Sequence, residues 1–99
     1  MMLHLICYDI ENNRARTRLS KLLIKIGMER VQLSVFIGVL SKYEKEELLA
    51  KIEELVSEDP IYHVLCIPLH EDMLSGLDEI AKVPLDWEYL KGEKLCMII

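Results

Sequence analysis

The run LICYDI, residues 5 to 10, carries a carboxylate, Asp9, where an apolar, strand-like stretch runs out. An acid in that position has two uses. It can accept backbone N–H groups in an Asx-type turn or as the cap of the following helix. It can also help to hold a hard cation such as magnesium, which takes oxygen ligands, keeps several waters and needs only one or two carboxylates when phosphate oxygens complete its shell. One aspartate per chain is a poor cation site, but two copies meeting near a twofold axis through their first strands would supply the second carboxylate. A metal held there would orient a water and stabilise charge on a phosphodiester, with Asp9 as ligand rather than base. Glu11, two residues on, reads either as an acid that assists Asp9 or as a solvated loop acid.

The second chemical feature is basic. Apolar residues Ala15, Leu19, Leu22, Leu23 and Ile26 recur at helical spacing between Asn13 and Ile26. At about 100° per residue, Arg14, Arg18, Lys21 and Lys25 share one narrow stripe away from that apolar face. Four cations in a row can track phosphates without reading bases. Arg16 points elsewhere on the helix and Arg30 lies just beyond it, where they would widen the footprint or meet acids of a partner. No aromatic residue is interleaved with these cations, which argues against stacking on single strands and for duplex backbone. The same stripe also reads as an ordinary solvated helix face. The net charge of −5 hides this asymmetry: residues 1 to 42 hold seven basic residues against three acids, and the remainder five against fourteen.

Other candidates are weaker. His4, His63 and His70 have no metal-ligand spacing. Cys7, Cys66 and Cys96 are odd in number, far apart and set in apolar runs, so they read as small core residues rather than a disulfide or zinc framework. Ser34 has no sequence-near base to make it a nucleophile and is assigned to strand or dimer packing. Phe36 reads as core or interface, and Gly38 as the site of a bulge or tight turn. Trp87 and Tyr89, alternating along a C-terminal strand, would anchor a subunit or partner contact.

The elements that must position these groups follow from periodicity. LHLICYDI is apolar at both parities, as in a central strand covered on both faces. Gly27 is placed to end the first helix. VQLSVFIGV changes to period two and predicts one long strand or two short ones. Ser41 and Glu44 form a capping box before a helix reaching about Ser57, with Leu48, Ile52, Leu55 and Val56 inward. IYHVLCI, residues 61 to 67, predicts another strand, 71 to 81 a short helix, and DWEYLKGEKLCMII two strands around a turn at Lys91 and Gly92.

The order is that of an α+β, ferredoxin-like βαββαβ sandwich with an added C-terminal hairpin or edge strand. It makes a single domain over residues 1 to 99, with a core of about 1 to 69 and an extension of about 70 to 99. Both helices lie on one sheet face. The other face is too apolar to leave in water, and homodimerisation through it is the simplest cover. With 52% hydrophobic residues and no apolar run near the ~20 residues that span a bilayer, the expectation is a soluble cytoplasmic protein.

YDI at 8 to 10, the basic helix NRARTRLSKLL and above all GMERVQLSVFIG at 27 to 38 resemble the CRISPR-associated adaptation protein Cas-two (Cas2), in order and spacing over about residues 1 to 69. The resemblance implies a prokaryotic ferredoxin-like homodimer at the centre of a complex with the CRISPR integrase, Cas-one (Cas1), holding a short duplex DNA fragment for spacer acquisition. It also implies magnesium-dependent, or manganese-dependent, endonuclease activity on RNA or DNA in some members, with Asp9 as the metal-associated, catalytic position and Tyr8, Ser34 and Phe36 as motif or dimer packing. The motif lacks a second acid, a general-base histidine or an obviously catalytic lysine, so whether this chain is an enzyme stays open. Two alternatives also stay open: a stand-alone endoribonuclease resembling the VapD toxins, and a non-enzymatic regulatory ferredoxin-like dimer.

Overall fold

Strand β1 (Met2–Ile10) pairs antiparallel on both edges, with β3 (Val35–Leu40) from Met2↔Leu40 to Cys7↔Val35 and with β4 (Tyr62–Leu69) from Leu3↔Leu69 to Ile10↔Tyr62. Its apolar character at both parities is what this central position requires. β2 (Glu29–Gln32) pairs with β3 and closes a four-stranded sheet of order β2-β3-β1-β4, the ferredoxin-like arrangement. This computed structural model describes residues 2 to 90.

Helices α1 (Asn13–Lys25) and α2 (Lys42–Val56) cover one face. Ile6, Tyr8, Ile10 and Phe36 from the sheet pack there against Ala15, Leu19 and Leu23 of α1 and Leu48, Ile52 and Val56 of α2. Fully burying each such large apolar side chain contributes about 1.5–3 kcal/mol. The helices begin and end as their sequences predict. Asn12 Oδ1 accepts the Ala15 N–H at 2.9 Å, and Gly27 follows α1 at φ 94°, the left-handed region that favours glycine. At α2 the capping box is complete: Ser41 Oγ accepts the Glu44 N–H at 3.1 Å, and Glu44 Oε1 accepts the Ser41 N–H at 2.8 Å.

VQLSVFIGV resolves into two short strands, β2 and β3, joined by a turn at residues 33 and 34, with a register shift between Arg30 and Gln32. Ser34 therefore lies in the turn rather than in a strand. The bulge falls there and not at Gly38, which keeps regular pairing with His4. Gly38 serves packing instead: a Cβ on it would lie 2.9 Å from Met28 Cγ. Phe36 faces the helices and is fully buried. Val35, Ile37 and Val39, the apolar parity of this stretch, face the other way, because Phe36 pairs with Ile6 on the helix side.

That second face is partly covered by the chain itself. Leu3 and Ile37 are buried with Leu90, and Leu5, Val39, Leu69, Leu74, Leu85, Trp87 and Tyr89 pack around them. The covering segment departs from expectation in two places. The helix predicted over 71 to 81 stops after one turn as α3 (Glu71–Leu74), since His70 gives no side-chain cap and Ser75–Gly76 follow at once. Residues 87 to 90 form a helical turn, α4 (Trp87–Leu90), not the first arm of a hairpin. Asp86 Oδ1 accepts the Tyr89 N–H at 3.1 Å, and Glu79 takes the Trp87 indole N–H at 3.0 Å. Trp87 and Tyr89 thus anchor the cover of their own sheet. The expected turn at Lys91 and Gly92, the second arm and Cys96 lie outside the described residues.

Cys7 and Cys66 are partly buried free thiols, on opposite faces of the sheet. Burial pushes the Cys66 thiol up, with Lys45 offsetting a part. No helix among the described residues is long and apolar enough to cross a membrane.

Removing the Ser41 hydroxyl leaves an N-terminal N–H of α2 without its acceptor. Ser41→Ala is expected to lower stability by about 1 kcal/mol and the melting temperature by about 4–8 °C, read by thermal unfolding under circular dichroism. An unchanged melting temperature would show that water replaces the cap without loss.

Candidate functional site

The pleat of β1 sends Tyr8 and Asp9 to opposite faces of the sheet. Tyr8 points in under the helices and is buried, while Asp9 is exposed on the open face, one residue from the strand's end. Asp9 does not cap the following helix, because Asn12 does so. Its carboxylate makes no hydrogen bond or ion pair among the described residues. Directly across from it on β4 stands His63, also exposed. Sequence periodicity placed His63 only in a strand; the register with β1 is what brings it to Asp9. Glu11 is exposed beyond the strand, as expected.

On the helix side, Tyr8, Phe36 and Arg30 form a stack. The Tyr8 and Phe36 rings lie 6.3 Å apart at 16°, and the Arg30 guanidinium sits 5.0 Å from the Phe36 centroid. A cation over an aromatic face at a partly exposed site contributes about 0.5–1 kcal/mol. The Tyr8 hydroxyl donates to the Leu33 carbonyl at 3.4 Å, and the Tyr8 N–H donates to the Ser34 carbonyl at 3.0 Å, tying β1 to the β2–β3 turn. Arg16 reaches back to the same region: its guanidinium donates to the Ile10 carbonyl at 3.1 Å and to Asn13 Oδ1. Tyr8, Arg16, Thr17, Ser20, Arg30, Leu33 and Ser34 line a cavity of about 370 Å³. Two guanidinium groups and several hydroxyls around one hollow suit an anionic group.

Arg16 and Arg30 therefore stand apart from the stripe and share this hollow. The stripe itself, Arg14, Arg18, Lys21 and Lys25, is exposed along α1. α1 contains no acid, and none of the four cations is ion-paired among the described residues. The ion pair recorded there is Lys51–Glu47 at 3.3 Å, within α2.

For a metal, the donor set of one chain is sparse. Among the described residues no three His, Cys, Asp or Glu side chains are grouped to hold an ion. Asp9 nonetheless suits a hard cation, being an exposed, unpaired carboxylate that water, phosphate oxygens or a second copy can supplement. His4 and His70 do not join it. His4 is buried with Nδ1 2.8 Å from the Met2 carbonyl, and His70 precedes α3.

The family model described as CRISPR associated protein Cas2 matches residues 1–75. A CRISPR-associated endoribonuclease Cas2 of Archaeoglobus fulgidus is 45% identical over 58 residues, which cover 59% of this chain and 62% of that protein's length. The corresponding protein of Francisella tularensis subsp. novicida is 32% identical over 88 residues, covering 86% and 89%. Among solved structures, a hypothetical protein, TT1823 from Thermus thermophilus, superimposes with a TM-score of 0.67 at 31% identity, covering 85% of this chain and 95% of its own. A chain of a partial Cas6-RT-Cas1–Cas2 complex gives a TM-score of 0.72 at 27% identity over 100% and 98%.

Burial raises the Tyr8 phenol above its ordinary value, and the positive charges of Arg30 and Arg16 offset part of the rise. The neutral phenol is thus favoured in the folded protein. Its contribution to stability is complete below the unfolded tyrosine value of about 10 and is lost as pH rises through the folded value. In the absorbance difference between wild type and Tyr8→Phe, Tyr8 is expected to ionise above the ordinary tyrosine value of about 10. Arg30→Ala should move it further up. Ionisation of Tyr8 at the ordinary tyrosine value would show that the phenol is solvated.

Proposed function

The chain belongs to the CRISPR-associated Cas2 family, and on that premise we propose that it acts in CRISPR adaptation as a homodimer that holds duplex DNA alongside the integrase Cas1. The observation that carries this reading is the exposed stripe of Arg14, Arg18, Lys21 and Lys25, without an ion pair among the described residues, on a helix without acids. Such a surface binds polyanion backbone and is indifferent to sequence, which suits DNA of arbitrary origin. Arg16 and Arg30 extend the footprint as a separate anion-binding hollow beside the turn at residues 33 and 34. Assembly with Cas1 is supported by the likeness to a chain of a Cas1–Cas2 complex.

Dimerisation is supported by the part of the open sheet face that, among the described residues, the segment after β4 leaves bare. Leu65 is 46% and Ile67 38% exposed there, beside Cys7 and Asp9. A second copy seated on these residues would remove that apolar area from water and bring the two Asp9 carboxylates toward one another.

Metal-dependent phosphodiester cleavage is the further activity proposed, on RNA or DNA; the relatives described as endoribonucleases support RNA. Asp9 would hold magnesium or manganese. The ion, when bound, supplies Lewis-acid stabilisation of phosphate charge and an activated water. The chain's own contribution is to orient the carboxylate from a rigid central strand and to fix the nucleic acid through the stripe.

Arg14→Glu combined with Arg18→Glu is expected to weaken duplex binding equally for unrelated sequences. The slope of log affinity against log salt should flatten by about 2, if each cation neutralises one phosphate. Unchanged affinity would remove the stripe from the interface. In a second experiment, Asp9→Asn and wild type, prepared as confirmed dimers, are compared for magnesium-dependent cleavage of matched RNA and duplex DNA. The variant should lose cleavage and keep DNA binding. Equal cleavage by both would place the chemistry elsewhere.

A further inference from the structure

The antiparallel register of β1 and β4 sets Asp9 opposite His63 as direct cross-strand partners. Residues so placed have Cβ atoms about 4.5–5.5 Å apart on one face. Both side chains are exposed, and neither makes a hydrogen bond or ion pair among the described residues. The pair lies next to the Cys7–Leu65 pair, at the rim of the bare apolar half of the sheet. An imidazole and a carboxylate of opposed residues, both unengaged, can converge on a cation whose bonds to nitrogen and oxygen are each near 2 Å.

We propose that His63 is the second protein donor at the divalent-metal position anchored by Asp9, so that the position takes manganese or cobalt in preference to magnesium. The inference rests on the reading of Asp9 as a metal residue and adds to it a nitrogen ligand. Magnesium prefers oxygen and gives up its waters reluctantly. Imidazole binds manganese less tightly than the later transition ions but better than it binds magnesium, and affinity rises from manganese to cobalt. Water, phosphate oxygens or the same pair from a second copy complete the shell, since among the described residues one chain groups no third donor. Both residues sit in paired strands, so their spacing is set by the sheet rather than by a loop.

Manganese binding is measured on the full chain by the loss of the free-ion paramagnetic resonance signal, and magnesium by competition. Wild type, Asp9→Asn, His63→Ala and His63→Gln are compared at matched oligomeric state. His63→Ala is expected to lose about tenfold in manganese affinity with magnesium affinity altered less than twofold, His63→Gln to recover part of the loss through its amide oxygen, and Asp9→Asn to lose both ions. Manganese binding unchanged in His63→Ala but abolished in Asp9→Asn would overturn the role of His63 and leave Asp9 as the metal residue. Equal binding by wild type and Asp9→Asn, or none by either, would overturn both. Because His63 is exposed, its replacement leaves the core intact, and unchanged circular dichroism verifies this.

Discussion

The antiparallel pairing of β1 on both edges is the constraint from which the rest of the molecule follows. With β3 on one side and β4 on the other, every residue of β1 is assigned to a face by the pleat. Ile6, Tyr8 and Ile10 enter the core beneath α1 and α2, and Leu3, Leu5, Cys7 and Asp9 go to the other side. Neighbouring residues Tyr8 and Asp9 thereby belong to different sites: one lines a cationic hollow with Arg16 and Arg30, the other faces His63 across β4. A slip of one residue in either pairing would exchange the two faces and dissolve both arrangements.

Charge is distributed by the helices in a complementary way. α1 carries Arg14, Arg16, Arg18, Lys21 and Lys25 with no acid, so its cations have no partner within reach along their own helix. α2 mixes Glu44, Glu46, Glu47, Glu53 and Glu54 with Lys42, Lys45 and Lys51, and pairs Glu47 with Lys51 internally. Both helices are amphipathic and sit on the same sheet face, yet only α1 carries its positive charge with no acid on the same helix. A polyanion is drawn to one of them and repelled by much of the other, which gives a protein of negative net charge a defined basic side.

The open face shows how a small domain limits its exposed apolar area. The segment after β4 folds back so that Leu85, Trp87 and Leu90 cover Leu3 and Ile37, held by the hydrogen bonds of Glu79 to the Trp87 indole and the Leu85 N–H. Among the described residues, the cover stops short of Leu65 and Ile67. What remains exposed is therefore a smaller apolar patch than an uncovered ferredoxin-like sheet would present, and it borders the Asp9–His63 pair.

Local pattern sufficed for α1 and α2, for the Gly27 stop and the Ser41–Glu44 capping box, for the two-faced central strand and for the basic stripe, because each depends on residues within a turn or two of one another. The helical spacing of Ala15, Leu19 and Leu23 and the Ser41–Glu44 box are of this kind. So is the order of elements that spells the ferredoxin-like plan. The alternation of Trp87 and Tyr89 misled, since Asp86 starts a helical turn there and Trp87 and Leu90 meet the sheet at helical spacing. The tertiary structure alone decided that the apolar parity of β3 turns away from the helices, that Arg16 and Arg30, already off the stripe, meet at a common hollow, and that His63 stands against Asp9. Each of these is a matter of register between segments distant in the chain, set by which side chains the packed core accepts, and no local periodicity encodes it.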